Sequence, residues 1–237
     1  MRELVIAGHR IADDTPPWVC AEIGNNHGGS VELCKQMIKA AAEAGCSAVK
    51  LQKRDNASLY TSEMLAMPYE NPNSFGRTYG EHRMAQEFGW EEYVELKAFA
   101  VSAGVVLFAT AFDIESARFL NRLDVALYKV ASGDLNNIPL IRELARYGKP
   151  LLVSTGGGTI DDVERAAMAI GDCPHAFLQC TAEYPVRYAD VNLRVIETYR
   201  ERFPDTVIGF SSHEDGIDLA VPAYLLGERI HDQHFTT

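Results

Sequence analysis

The sequence predicts an α/β fold, a (β/α)8 TIM barrel, and two observations support this prediction. Short apolar, β-branched or aromatic runs alternate with longer segments of helical periodicity, which is typical of βα units around a parallel sheet. Eight such units fit within the 237 residues, and eight is the number that closes a barrel. A doubly wound sheet is built from the same units, so it is the competing architecture.

Each predicted strand is a short run whose residues favour extended backbone. In chain order the eight runs are 18–24, 48–52, 105–111, 127–132, 151–155, 176–181, 207–213 and 229–235. Two of the helices between them have clear starts. Residues 30–44 offer Ser30 as an N-cap, and their apolar side chains recur on one face at Leu33, Met37, Ile38, Ala41 and Ala44. Residues 160–170 begin with Asp161 and Asp162, which suit a helix N-terminus.

The connection between the second and third strands, residues 53–89, is much longer than an ordinary loop. It is rich in Asn, Pro, Gly and Tyr. Long loops of this kind in compact domains usually carry function, so it is predicted to be a lid rather than a domain boundary. Residues 1–237 are therefore predicted to form a single barrel domain.

Composition and charge exclude several classes of protein. The chain has 22 basic and 33 acidic residues, a net charge of -11, which argues against a general nucleic-acid or anionic-membrane surface. The first ten residues hold too short an apolar stretch for a secretory signal, and no eighteen apolar residues run together. We therefore expect a cytoplasmic protein. Its five cysteines lack metal-ligand spacing and are expected to be reduced, mostly buried thiols.

Polar side chains gather at the carboxyl ends of the predicted strands, where a (β/α)8 barrel builds its active site. They are Glu22, Lys50, Gln52, Thr110, Asp113, Lys129, Ser132, Ser154, Thr155, Thr181, Ser211, Ser212, His213, Asp232 and His234. A doubly wound sheet also binds ligands at strand ends. The pattern therefore favours an enzyme more strongly than it favours either architecture.

Nine stretches, taken in order, match the pattern of a known family. They are 21–28 (AEIGNNHG), 44–52 (AGCSAVKLQ), 110–113 (TAFD), 129–134 (KVASGD), 149–156 (KPLLVSTG), 180–185 (CTAEYP), 192–194 (NLR), 209–213 (GFSSH) and 234–236 (HFT). In this order and spacing the chain resembles the sialic acid synthase (N-acetylneuraminate synthase) family. That family includes legionaminate and pseudaminate synthase-like proteins and spore coat polysaccharide biosynthesis proteins.

The resemblance implies a barrel enzyme that condenses phosphoenolpyruvate with an N-acetylated amino-sugar aldehyde similar to N-acetylmannosamine. The product would be a nine-carbon 2-keto sugar acid, with release of phosphate. A divalent metal is implied, with Mn2+ as the first candidate and Mg2+ or Co2+ as alternatives. The expected partners are these two substrates and, in the full-length form, a second copy in a homodimer, with neither nucleic acid nor membrane.

The resemblance also assigns roles that the residue types can fulfil. His213 and His234 match the metal ligands, and a bound metal would polarise the aldehyde oxygen. Glu22 and Asp232 are the candidate catalytic carboxylates, since water must add at carbon 2 of the donor. Cations and hydroxyls for phosphate and carboxylate are expected from Lys50, Lys129, Thr110, Ser132, Ser154 and Ser211. Sugar hydroxyls would be held by Gln52, Asp134 and Tyr184.

Each assignment has a structural alternative. Lys50 and Lys129 lie inside apolar runs, so each needs an anion or a carboxylate partner, and Glu22 could be that partner. His213 and His234 could be hydrogen-bonded structural residues. A synthase of shorter keto-sugar acids is a close enzymatic neighbour of the proposed chemistry.

The chain also departs from the family pattern. Asp232-Gln233 stands where members commonly have Glu-Lys. The Asp232 side chain is one methylene shorter than Glu, which would shift its carboxylate and weaken a catalytic role. The family continues past His-Phe-Thr into a last barrel helix and a C-terminal antifreeze-like domain. The expected architecture is thus a truncated barrel that lacks both, with apolar surface exposed beside its last strand. The alternative function is a catalytically weakened homologue that acts as a binding or assembly protein in surface polysaccharide biosynthesis.

Overall fold

An antiparallel hairpin that the sequence reasoning did not predict begins the chain. The computed structural model describes residues 1–236, and in it β1 (Glu3–Ile6) pairs with β2 (His9–Ala12) across a turn at Ala7 and Gly8. Buried and exposed residues alternate along β1, but a four-residue strand is too short for a secure periodic signal. The hairpin lies at the amino-terminal end of the barrel, where Arg229 donates to the Asp13 carbonyl.

Eight parallel strands then close into a barrel, which confirms the predicted (β/α)8 class and excludes an open sheet. They are β3 (Trp18–Gly24), β4 (Ala48–Lys53), β5 (Val106–Ala111), β6 (Tyr128–Val130), β7 (Leu151–Ser154), β8 (His175–Cys180), β9 (Val207–Ser212) and β10 (Ile230–His234). Each strand pairs with its neighbours in chain order, and β10 pairs with β3 to close the barrel.

The connecting segments are largely helical. The helices are α1 (Val31–Glu43), α2 (Asn56–Leu59), α3 (Ser62–Ala66), α4 (Tyr79–Gln86), α5 (Trp90–Ala103), α6 (Ile114–Arg122), α7 (Ile138–Arg146), α8 (Ile160–Ile170), α9 (Val195–Arg202) and α10 (Ala220–Leu225). None of the helices within residues 1–236 is both long and apolar enough to span a bilayer.

The eight predicted strands all occur, with small differences at their ends. The largest difference is at β6, which has three residues instead of six, because residues 132–134 form a 3-10 turn after it. The Ser30 cap is confirmed, since its hydroxyl accepts a hydrogen bond from the Leu33 amide at 3.2 Å. The predicted face of α1 needs correction. Cys34 is buried and Leu33 only partly so, while Ala44 is exposed because the helix has ended at Glu43.

The long connection at residues 53–89 is an ordered segment that contains α2, α3 and α4. Both of its ends are tied to the barrel. The Asp113 carboxylate accepts a hydrogen bond from the Asp55 amide at 2.8 Å, and Lys53 pairs with Glu87 at 2.9 Å. Asp113 also caps α6 by accepting from the Ser116 amide at 2.7 Å. Its carboxylate is therefore a structural anchor, and the lid function of the connection stays a prediction.

An apolar groove runs along the outside of β3 and β10. Its lining includes Val19, Ala21, Cys46, Val221 and Phe235. Elsewhere the outer face of the sheet is covered by helices, and the core is a single continuous cluster. All five cysteines are free thiols, and Cys20, Cys34 and Cys180 are buried as expected.

β9 packs so closely against β8 and β10 that there is no room for a side chain at Gly209. A Cβ there would lie 2.5 Å from the Ile230 carbonyl oxygen and 3.0 Å from Leu178 Cγ. We expect Gly209→Ala to lower the free energy of unfolding by about 1–3 kcal/mol, because the clash is with strand backbone that cannot move aside. Urea denaturation followed by circular dichroism would measure this change.

Gly133→Ala is the matched control, since a Cβ at Gly133 would meet nothing within 4 Å. A control as destabilised as Gly209→Ala would show that loss of glycine, and not the close approach of β9 to β10, causes the effect.

Candidate active site

A pocket of about 450 Å³ opens at the carboxyl ends of the barrel strands. Every site residue predicted from the sequence lines it, and each of the eight strands contributes at least one side chain. The lining consists of Glu22, Lys50, Gln52, Arg54, Thr110, Phe112, Lys129, Ala131, Ser132, Gly133, Asp134, Ser154, Cys180, Ala182, Tyr184, Ser211, Ser212, His213, Asp232 and His234. The structure therefore brings the predicted set together, while the role of each member stays a prediction.

Strand geometry explains why residues far apart in sequence meet here. Alternate side chains on a strand point to the same face, so Lys50 and Gln52 both face the pocket, as do Asp232 and His234. The parallel register then aligns neighbouring strands, with Glu22 opposite Lys50 on one side and His234 on the other. A shift of one residue in either register would turn these side chains outward.

A network of buried ion pairs forms the floor of the pocket. Lys50 Nζ contacts the Glu22 carboxylate and lies 3.5 Å from Asp232 Oδ1, while Lys129 Nζ lies 3.1 Å from Asp232 Oδ2. All four side chains are at most 5% exposed. Two cations and two carboxylates thus neutralise one another in a buried site. The predicted alternative, an internal salt bridge for the lysines, is present in the structure.

The protonation states of this network follow from its charges. Burial alone would lower the pKa of Lys50, but the carboxylates of Asp232 and Glu22 outweigh it, and the net pKa is raised. Burial alone would raise the pKa of Asp232, but Lys50 and Lys129 outweigh it, and the net pKa is lowered. Both groups are therefore charged at neutral pH, with Asp232 bound to two lysines.

His213 and His234 lie side by side at the end of β9 and on β10, with ring centroids 5.5 Å apart. His213 Nδ1 donates to the Thr181 carbonyl at 2.8 Å, so its Nε2 carries the lone pair and accepts from the Tyr184 hydroxyl at 2.8 Å. Burial lowers the pKa of His213 to about 4, so this imidazole is neutral near pH 7. A neutral ring with its tautomer set by a carbonyl is what metal ligation requires.

The two imidazoles could hold a divalent metal only with help from other ligands. Within residues 1–236 no three His, Cys, Asp or Glu side chains converge as a ready metal cluster. Two protein nitrogens would leave positions open for substrate oxygen and water, an arrangement typical of catalytic and not structural metals. The donor set therefore fits a metal that binds together with substrate.

Hydroxyl groups surround the two lysines. Ser154 is 1% exposed, and its hydroxyl has no hydrogen-bond partner in the described chain. Thr110 and Ser211 are also buried against the pocket. Ser132 Oγ accepts a hydrogen bond from the Gly156 amide at 3.0 Å. A side chain at position 156 would obstruct this contact, because its Cβ would lie 2.9 Å from Ser132 Oγ. These groups can donate to an anion that sits above the lysines.

Several polar residues near the pocket have structural partners instead. Thr155 donates to the Leu178 carbonyl and accepts from the Tyr199 hydroxyl at 3.0 Å. Thr181 donates to backbone carbonyls of the segment before α9. His27 stacks on Phe88 with ring centroids 4.1 Å apart and lies outside the pocket.

Sequence reasoning missed Arg54 and Phe112, which also line the pocket. Arg54 follows β4 directly and Phe112 follows β5 directly. In a barrel, residues at this position are candidates for the active site, so the sequence did carry a signal for both. Arg54 falls within the long connection at residues 53–89, where the sequence carries no pattern that indicates burial. Cys180, one of the thiols expected to be buried, also lines the pocket. Its sulfur lies 3.8 Å from His213 Nδ1.

A model of the family described as the NeuB family matches residues 37–237 of the chain. The chain belongs to the NeuB family. Among its relatives is an N-acetylneuraminate-9-phosphate synthase from Homo sapiens, 38% identical over 231 residues, or 97% of this chain and 64% of the relative. Another is an N,N'-diacetyllegionaminic acid synthase from Campylobacter jejuni, 29% identical over 227 residues, or 92% of this chain and 67% of the relative.

A solved structure also resembles this NeuB-family chain closely. It is the N-acetylneuraminic acid (sialic acid) synthetase of Leptospira borgpetersenii in complex with citrate, with a TM-score of 0.83 and 30% identity. The match covers 99% of this chain and 78% of that one. The chain spans 64% of the length of its human relative.

The buried network predicts a large loss of stability when its shared carboxylate is removed. Asp232→Asn should lower the free energy of unfolding at pH 7 by about 3 kcal/mol, because Lys129 is left buried without a charged partner. Since the pKa of Asp232 is lowered in the folded state, its stabilisation is fully present above the unfolded pKa of about 4 and is lost as pH falls below it. Urea denaturation at pH 7 and pH 3 would measure both effects.

Asp205→Asn serves as the control for this measurement, because Asp205 is an exposed carboxylate outside the network. An Asp232→Asn protein as stable at pH 7 as this control would contradict the proposed dependence of Lys129 on Asp232.

Proposed function

We propose that this chain carries the catalytic barrel of an enzyme that condenses phosphoenolpyruvate with an N-acetylated amino-sugar aldehyde. The product is a sialic-acid-type nine-carbon 2-keto sugar acid, and phosphate is released. The single observation that carries the proposal is the arrangement of one pocket: two buried lysines with an unpartnered serine hydroxyl on its floor, and two adjacent imidazoles at its edge.

The floor of the pocket suits the anionic donor. Phosphoenolpyruvate carries a phosphate and a carboxylate, and the chain as a whole is acidic, so the donor needs local cations and hydrogen-bond donors to bind it. Lys50 and Lys129 supply the charge, and the hydroxyls of Ser154, Thr110, Ser132 and Ser211 supply donors. Because Glu22 and Asp232 already neutralise the lysines, these carboxylates keep the cations oriented until the donor arrives.

The edge of the pocket suits the aldehyde. His213 and His234 would hold the divalent metal, Mn2+ or alternatively Mg2+ or Co2+, and the metal when bound supplies Lewis-acid polarisation of the aldehyde oxygen. The carbonyl of Thr181 fixes the His213 ring and leaves Nε2 with the lone pair, which a metal would take over from the Tyr184 hydroxyl. Gln52, Asp134 and Tyr184 bind sugar hydroxyls around this position.

Glu22 is the better placed of the two candidate carboxylates to move a proton. It lies opposite His234 in the strand register, next to the position proposed for the aldehyde. Water that adds at carbon 2 of the donor must lose a proton, and a carboxylate beside that carbon can accept it. Asp232 binds both lysines, so we assign it to positioning the cations and to balancing charge.

The relatives support this proposal and leave the acceptor open. The human relative is named for a product phosphorylated on carbon 9, whereas the Campylobacter jejuni relative is named for a diacetamido acid without phosphate. Since the donor contributes three carbons, carbon 9 of the product is carbon 6 of the acceptor. The acceptor is therefore either a sugar 6-phosphate or a neutral sugar.

Phosphate release from phosphoenolpyruvate, measured with Mn2+ across a panel of amino sugars, tests the proposal. We expect release that needs both metal and sugar, and that stops when a chelator removes the metal. His213→Ala and His234→Ala should each lower kcat/KM by about 10³-fold, because each removes a ligand of the group that polarises the aldehyde.

His9→Ala is the matched control, since His9 is exposed on the hairpin far from the pocket. A folded chain that binds phosphoenolpyruvate but releases no phosphate with any sugar would contradict the synthase proposal. It would favour the alternative, a binding or assembly protein.

A further inference from the structure

Arg54 stands at the rim of the pocket, immediately after β4, and is held rigidly in place. Its guanidinium lies 3.8 Å from the centroid of the Phe112 ring, and its Nη2 donates to Gln52 Oε1 at 2.8 Å. The residue is only 9% exposed. An arginine stacked on an aromatic ring and hydrogen-bonded on one side presents its other side in a fixed direction.

That other side has no partner. Arg54 Nη1 is buried and makes no hydrogen bond within the described residues. The other buried cations of the pocket, Lys50 and Lys129, are each paired with a carboxylate. In a chain with 33 acidic residues, a buried arginine without a carboxylate is costly unless an anionic ligand satisfies it.

A second unpaired arginine strengthens the positive potential at this place. Arg83 of α4 forms no ion pair within residues 1–236, and its Nε donates to the Tyr79 hydroxyl at 2.8 Å. Burial first, and the charge of Arg83 second, lower the pKa of Arg54. The charges of Arg54 and Arg83 repel each other and attract an anion.

Arg54 is separated from the donor's cations by a fixed chain of hydrogen bonds. Gln52 Nε2 donates to Glu22 Oε1 at 2.9 Å, and Glu22 in turn contacts Lys50. The Gln52 amide therefore stands between Arg54 and the floor, and the floor residue that it contacts is the negative Glu22. An anion bound by Arg54 is a different group from the phosphate of the donor.

We propose that Arg54 binds a phosphate carried by the acceptor sugar, at the end remote from the aldehyde. This inference rests on the proposed function, and it selects the sugar 6-phosphate over the neutral sugar as the preferred acceptor. Gln52 links the two halves of the site, since its oxygen orients Arg54 while its amide contacts Glu22. The start of the long connection thereby determines acceptor specificity.

Steady-state kinetics with N-acetylmannosamine 6-phosphate and N-acetylmannosamine test this assignment. We expect the phosphorylated acceptor to have the higher kcat/KM by about 100-fold, the amount expected from a buried charge-assisted contact. Arg54→Met should remove most of this preference by raising KM for the phosphorylated acceptor. Arg54→Lys should restore part of it, because an ammonium keeps the charge but not the planar fork.

Arg142→Met is the matched control, because Arg142 is exposed on α7 outside the pocket. It should retain the full preference for the phosphorylated acceptor. A preference that survives Arg54→Met, or a rise in the KM of phosphoenolpyruvate in place of the acceptor's, would overturn the assignment.

A binding measurement separates this inference from the proposed function. Calorimetric titration with N-acetylmannosamine 6-phosphate, in the absence of phosphoenolpyruvate and metal, reports on the Arg54 subsite without turnover. Binding that Arg54→Met weakens by about 100-fold, in a chain that releases no phosphate, would support the subsite and contradict the synthase activity. Turnover of both sugars at equal kcat/KM would support the activity and overturn the subsite. Thermal unfolding of each variant would verify that it is folded.

Discussion

The pairing of Lys50 and Lys129 with Glu22 and Asp232 is the constraint on which the site depends. Each of these charges would be costly to bury alone, and together they come from four strands that meet only when the barrel closes. Asp232 lies on the last strand and contacts lysines on β4 and β6. The barrel must therefore close before the four charges of the floor can pair.

The pocket is divided by charge into regions with different tasks. Lysines and hydroxyls form its floor, two imidazoles, of which His213 is neutral, lie at one edge, and an unpaired arginine lies at another. Glu22 and Gln52 link the floor to the arginine, because Glu22 contacts Lys50 and Gln52, and Gln52 contacts Arg54. In our proposal this division orients two substrates that are both anionic, because it keeps their phosphates apart while their reacting carbons meet.

The long connection contributes to the site through its anchoring. Asp113 binds the backbone at Asp55, and Lys53 binds Glu87, so the first and last turns of the segment are tied to the barrel. Arg54 lies between these anchors and is pressed against Phe112. The anchors hold the backbone at Arg54 against the barrel, and Phe112 and Gln52 then fix the direction of its guanidinium.

The sequence by itself determined the eight strand runs, the Ser30 cap and the side chains that face the pocket. It could do so because hydrophobic periodicity and capping are local, and because every barrel directs its strand ends to one face. Only the tertiary structure decided which lysine pairs with which carboxylate, since those partners depend on register and closure between distant strands. It also decided that Arg54 is buried and unpaired, because burial there depends on how the connection folds onto β5, and no local pattern encodes that contact.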